Sequence, residues 1–469
     1  MATLGLPALN TQGLLANSTT GLNVAQLVNA SMAALEIPQQ NLQNEQALLS
    51  SQSSALSALN SDLNAFQTAF QTLTSLSGAL DATAAASSNT GVLTASSDST
   101  AAVASHTVLV NSLAVTSSYD TNELASSSTT FGTGSFTIQV GSGTAQTVTV
   151  DSTNNTLSGL ATAINSMGLG ATASVVTDAN GARLSIVSNT SGAAGDLTIA
   201  NVGGLTGLSF TKTQTGANAS LTVDGTPISS ASNTVTGAIS GVTLNLVGAS
   251  TTPVTVSVSP DTSSATTAIK SFVSAYNTLI GDINKQFATT STTSSDGTTT
   301  SVTAGVLMAD PALSNVQEQL LSAMTYSMSG NNGITSLSSL GITMNQDGTL
   351  TVNSSTLQNA LSSNFSAVQT FFQGASGTFG SNLTTNLTQL TDPVNGPFNL
   401  ELTNISTQQN DLSQQLTQMQ GQLAIEQQQL LQEYSQANAA LQTLPLMLQQ
   451  ISSQLGSLSS FSSPSPTHG

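Results

Sequence analysis

The chain has no cysteine and no tryptophan, and of its 469 residues only four are Lys or Arg and two are His. Without cysteine there is neither a disulfide nor a thiolate metal ligand, and the redox state of the compartment leaves no mark on the sequence. Charged residues make up 6%, against about 25% in an ordinary globular chain, so solubility rests on Ser, Thr, Asn and Gln. The shortage is one-sided. Arg183, Lys212, Lys270 and Lys285 face 22 Asp and Glu, for a formal net charge of −18. That excludes a nucleic-acid partner, whose phosphates must be neutralised by Lys and Arg, and argues equally against anionic membrane surfaces. No apolar run approaches the roughly 20 residues of a membrane span. Met1 to Gly13 has neither a basic n-region nor a continuous apolar h-region, so a cleaved secretory leader is not expected and export takes another route.

What is plentiful is leucine at helical spacing. Between residues 39 and 80, Leu42, Leu49, Leu56, Leu63 and Phe70 recur every seven residues, and Leu59, Phe66, Leu73 and Leu80 form a second series offset by three. This is the a/d seam of a coiled-coil helix. At about 1.5 Å per residue it makes a rod of roughly 60 Å, which needs a partner. The other end of the chain carries a matching pattern: Leu402, Leu416, Leu423, Leu430, Leu444, Ile451 and Leu458 in one phase, and Ile405, Leu412, Met419, Met447 and Phe461 in another. The termini are expected to pair into a stalk carrying whatever lies between them; the alternative is two separate coils, each made with other subunits.

The chain is long enough for about three domains. Residues 1–38 read as a disordered stretch followed by a short amphipathic helix (Val24, Leu27, Val28, Met32, Leu35) stopped by Pro38. Residues 39–105 read as the stalk helix and an Ala/Ser/Thr connector. At His106 the apolar period becomes two, and residues 106–118 with 216–261 form a β-rich head domain in which Asp224-Gly225 is a hairpin turn. Residues 119–215 are an inserted α+β unit, with a hairpin (Phe136, Ile138, Val140 against Val148, Val150) and a helix carrying Leu157, Leu160 and Ile164. Residues 262–398 combine helices with a hairpin around Asp347-Gly348; within them 289–303 are almost pure Ser/Thr and read as a mobile loop. Residues 399–469 form the C-terminal coiled-coil helix, interrupted by Pro445, and a frayed tail. The fold class is thus α+β multidomain: long terminal α-helices pairing as a coiled-coil stalk, with two β-rich head domains inserted between them.

No catalytic constellation emerges. His468 lies in the tail and His106 opens a strand, where it reads as an ordinary edge residue rather than a nucleophile's base. No GxSxG elbow, Walker loop or GxGxxG occurs. Asn345, Asp347 and Gly348 imitate part of a calcium loop, but Thr343 and Ser354 stand where its first aspartate and closing glutamate belong, so a hairpin turn accounts for them. The sequence points to a non-enzyme with no cofactor and no metal.

Six blocks, in order, resemble one family. They are residues 21–66; VLVNSLAVTSSYD at 108–120; TLSGLATAINSMGLGATASVVTDANGARLSIVS at 156–188, containing the IN motif Ile164-Asn165; LTVDGTPISSASNTVTGAISGVTLNL at 221–246; IKSFVSAYNTLIGDIN at 269–284; and LSSLGITMNQDGTLTVNSSTLQNAL at 337–361. Their order is similar to that of the flagellar filament-capping proteins, the hook-associated protein 2 family. The resemblance implies a structural cap at the distal tip of the bacterial flagellar filament, secreted through the flagellar export apparatus with an uncleaved N-terminus and held before export by a dedicated chaperone. It implies a ring-like homo-oligomer that promotes folding and insertion of exported flagellin. A hook-filament junction protein would share the terminal helices and IN block but not the order of blocks, and an extracellular adhesin with a glycan-binding head would share the polar composition.

Overall fold

A computed structural model of the chain describes residues 23–293 and 300–459. In chain order, helices α1 (Val24–Leu35) and α2 (Ile37–Thr74) precede strands β1 (Thr83–Ser87), β2 (Leu93–Ser97), β3 (Ala104–Ser112), β4 (Thr116–Thr121), β5 (Gly134–Val140) and β6 (Gln146–Val150). Helix α3 (Leu157–Ser166) leads to β7 (Ala171–Thr177), β8 (Ala182–Ser191), β9 (Leu197–Gly203) and β10 (Phe210–Gln214). Strands β11 (Ala219–Val223), β12 (Thr226–Ser230), β13 (Thr234–Ile239), β14 (Val242–Leu246) and β15 (Val254–Pro260) follow. After α4 (Thr262–Phe287) come β16 (Thr289–Thr293), β17 (Thr300–Ala304), α5 (Pro311–Met324), β18 (Ile342–Met344) and β19 (Leu350–Val352). Helices α6 (Ser354–Ser363), α7 (Phe365–Gln373), α8 (Phe379–Leu390) and α9 (Pro397–Ser459) complete the chain.

Three large cores form around these elements. The first is helical. It joins α2 to α4 through α9, with Leu63, Phe66, Phe272, Leu279, Leu320, Phe372, Phe379 and Phe398 all buried. Rings interlock at its centre: Phe66 lies 5.3 Å from Phe272 and 5.5 Å from Tyr276, and Phe70 lies 6.2 Å from Phe379. Such tilted and edge-to-face pairs each contribute about 0.5–1.5 kcal/mol beyond the area they bury. Asp261 caps the N-terminus of α4 and Asp310, followed by Pro311, that of α5.

The second core lies between a five-stranded sheet, β1-β15-β3-β11-β12, and a three-stranded one, β13-β14-β2. The expectation that residues 39–105 hold only a helix and a connector is corrected here: α2 ends at Thr74, and β1 and β2 pair with β15 and β14. Their sequences, TAAAS and LTASS, have little strand character of their own; partners 145 to 177 residues further along the chain decide their state. The third core belongs to an insertion built on sheets β10-β4-β8-β7 and β6-β5-β9, packed with α3 through Phe136, Ile138, Leu160, Ile164 and Ile186. A bridge between Val115 and Ala217 closes its neck, and β4, which begins at Thr116, already belongs to the inserted sheet.

Two further expectations change. The Ser/Thr run expected as a mobile loop carries β16 and β17, paired from Thr289 with Ala304 to Thr293 with Thr300, as β-branched threonines favour; residues 294–299 lie outside the described part. Pro38 ends no helix but stands in the first turn of α2, where its missing N–H costs nothing. The N-terminal stretch 1–22 and the tail from 460 also lie outside the described residues.

Candidate functional site: the helical seam

The apolar series of α2 is divided between two partners. Leu49, Leu56, Leu59, Leu63, Phe66, Phe70 and Leu73 are buried and Leu42 is half-buried. They meet α9 through Leu402, Ile405 and Leu412, and α4 through Phe272 and Tyr276. Asn60 Nδ2 donates to Asn399 Oδ1 at 2.9 Å, fixing the start of α9 against the middle of α2. Helix α1, which precedes α2, meets α9 further on, so α2 and α9 run in opposite directions. Beyond Leu412 the α9 series changes partner. Leu423, with Met419 and Leu430 beside it, packs on Val24, Val28 and Met32 of α1, and Ser31 Oγ lies 3.1 Å from Tyr434 Oη. Leu416 is also buried. The sequence places all these residues on one repeating seam; the structure splits them into a deep core and a small outer cluster.

Further along α9 the seam has no cover among the described residues. Leu441, Leu444, Leu448, Ile451 and Leu455 are between 42% and 65% exposed, and the helix runs on through Pro445 to Ser459. This stretch holds no charged residue from 437 to 459. Glu45, in an apolar phase of α2, is exposed, and Gln52 turns its amide to the carbonyl of Val306 at 3.1 Å.

The motifs weighed for chemistry resolve into structure. His106 Nδ1 lies 2.8 Å from Asp224 Oδ2, while Asp224 Oδ1 accepts from the Thr107 backbone N–H; these bonds, the histidine's first, hold the Asp224 carboxyl below the usual range. The pair anchors the β11–β12 turn, and among the described residues no hydroxyl bonds to the His106 ring. Asp347 accepts from Thr349 and closes the β18–β19 loop. No group of three or more His, Asp or Glu among the described residues could hold a metal, and no helix there is long and apolar enough to cross a membrane. Ile164 of the IN motif is buried in the third core, and the Asn165 side chain bonds the backbone of β7. Sequence reasoning missed α1 as the outer partner of α9 and α4 as the second partner of α2; the stripe of Ile269, Phe272, Tyr276, Ile280 and Ile283 on α4 was the available signal.

Comparison with known proteins agrees along most of the chain. Family models described as flagellar hook-associated protein 2 N-terminus and C-terminus match residues 20–117 and 216–444. The chain is 31% identical over 400 residues to the B-type flagellar hook-associated protein 2 of Pseudomonas aeruginosa, covering 79% of this chain and 83% of that one. It is 29% identical to the flagellar hook-associated protein 2 of Escherichia coli K12 over 390 residues, 78% of this chain and 82% of the relative. Among solved structures, that of the D1-D2-D3 domains of the flagellar cap protein FliD from Escherichia coli superposes with a TM-score of 0.50 at 27% identity, over 75% of this chain and 99% of that one.

Proposed function

Because this chain belongs to the flagellar hook-associated protein 2 family, we infer that it is the cap at the distal tip of the bacterial flagellar filament, a structural protein that oligomerises on the filament and promotes flagellin assembly. The observation that carries this reading is the match in order of both terminal helical regions and the β-rich part between them. The physical design supports it. A cap must hold its place while subunits pass beneath it, which calls for a rigid head and legs able to rearrange. In this chain α2, α4 and α9 would form the leg, and the two β-containing cores the head.

Leu42 to Leu73 of α2 with Leu412 and Leu416 of α9 would hold the leg together, and Met419, Leu423 and Leu430 with α1 would be its yielding end. A cluster of few side chains opens at far lower free energy than a core of many. We extend the partners to the flagellar export apparatus, to a dedicated chaperone, for which the exposed Leu444, Leu448, Ile451 and Leu455 offer an apolar face, and to surface glycans at the head. A groove of about 580 Å³ lined by Ile138, Val140, Gln146, Met167 and Leu169, with no charged residue in its wall, suits a neutral ligand of that kind. Electron microscopy of the purified protein should reveal a ring of a few copies with protruding legs, and deletion should leave cells that shed flagellin into the medium. Monomers only, with normal filaments on the deletion strain, would overturn the reading.

A further inference from the structure

Asn165, on the last turn of α3, is exposed, yet both the nitrogen and the oxygen of its amide are engaged. Nδ2 donates to the carbonyl of Ala173 at 2.8 Å, and Oδ1 accepts from the N–H of the same residue at 2.8 Å. A donor and an acceptor on one planar amide, meeting the N–H and C=O of one strand residue, reproduce the bond pair an adjacent antiparallel strand would make. Ala173 sits in β7, the outer strand of its sheet. The arrangement recurs once in each of the other two cores. Asn277 donates to Leu350 O at 2.8 Å and accepts from Leu350 N at 2.7 Å, and Asn233 donates to Ala114 O at 2.9 Å and accepts from Ala114 N at 2.7 Å.

An open strand edge is a template for another chain, and proteins block it with lysine, proline, bulges or a covering element. Several outer strands here use those devices: β10 carries Lys212 and a register shift, β12 carries Pro227, and β13 a register shift. Strand β7 has no lysine, proline or bulge, only the end of α3 that carries Asn165. It pairs with β8 in unbroken register from Ala171 with Ser188 to Thr177 with Ala182, contains no charge, and exposes Val176. A chain with four Lys and Arg has few cations to post at its edges.

We propose that Asn165 is an edge guard: its amide occupies the strand-addition site of β7 and keeps a second copy of this chain from pairing there. The IN motif then combines an anchor, Ile164, with a guard. Alanine is the better helix former, so a residue that mattered only to α3 would be replaced by it without loss. In the full chain, Asn165→Ala should instead speed amide exchange across the outer face of β7 roughly tenfold, the scale of one or two lost hydrogen bonds, and should produce concentration-dependent association beyond the wild-type species in light scattering. Adding Val176→Lys to that variant should restore wild-type association while β7 stays fast-exchanging, because a charged edge blocks strand addition without replacing the clasp. Unchanged exchange in Asn165→Ala would overturn the proposal. So would association that Val176→Lys does not reverse, which would trace it to unfolding rather than to the edge.

Discussion

Several carboxylates of this chain lean on hydroxyls and backbone amides rather than on cations. Asp98, Asp151 and Asp347 each stand two residues before a threonine and accept from both its N–H and its hydroxyl; the side-chain bond is the largest cause of their lowered pKa and the backbone bond the next. Asp261 is lowered in the same way, chiefly by the Ser264 hydroxyl, and also caps α4. A carboxyl held below its unfolded value contributes stability that is present above that value and lost as pH falls through the lower, folded one. Asp62 works against this. Burial first, then the neighbouring Asp282 carboxyl, raises its pKa, so its contribution is present at low pH and is lost as pH rises through the raised value. The melting temperature should therefore vary little from pH 7 to about pH 5 and decline below about pH 4, the ordinary carboxyl range. Asp261→Ala should lower stability at pH 7 by about 1 kcal/mol, as for other helix caps, and flatten the acid decline, both read from thermal melts across pH. The Asp-x-Thr spacing is visible in the sequence and could be read there. His106 and Asp224 could not be, because 118 positions separate them and only β3 and β11 bring them together.

Helices, and strands that alternate apolar and polar residues such as β5, are legible from a local period. The seven-residue series of α2 follows from a local period, so its buried face was legible; which helix would cover each half was not, since both α4 and α9 carry apolar stripes. Strands β1 and β2 escaped notice because their pairing partners are remote. One polar pair limits how α2 and α9 slide. Asn60 and Asn399 face each other in the helical interface, and Asn60 Oδ1 is buried without a partner. A polar pair at such a position gives up stability and fixes register. The double variant Asn60→Leu/Asn399→Leu should raise the melting temperature of the helical core while broadening its amide-exchange and crosslinking patterns into more than one α2–α9 alignment. A single sharp alignment in the variant would show that the aromatic layer at Phe66, Phe70 and Phe272 already sets the register alone.

At the scale of the whole molecule, two connectors join the helical core to the β-rich one: residues 81–82, where Asp81 accepts from Gln369 and Gln373, and Asp261, whose N–H donates to Ala82 O. The large cores share no buried residue. Damage to one should therefore leave the others folded, and damage to the leg should scale with depth rather than with position in the repeat. Leu63 is fully buried between α2 and its neighbours, whereas Leu423 touches only the small cluster with α1. Leu63→Asp strands an unpaired charge in a packed core, costing about 3–5 kcal/mol or more. It should abolish most helical ellipticity and swimming, while the strands of residues 83–261 keep their exchange protection. Leu423→Asp should release α1 and the outer part of α9 only, with the aromatic core intact. A segment of residues 83–261, which retains β1 and β2, should fold alone; one begun at Val108 lacks the strands that pair with β14 and β15 and should not. Equal loss of helicity in both leucine variants would mean that the leg opens as a single cooperative rod, and the outer cluster could not then yield by itself while flagellin passes.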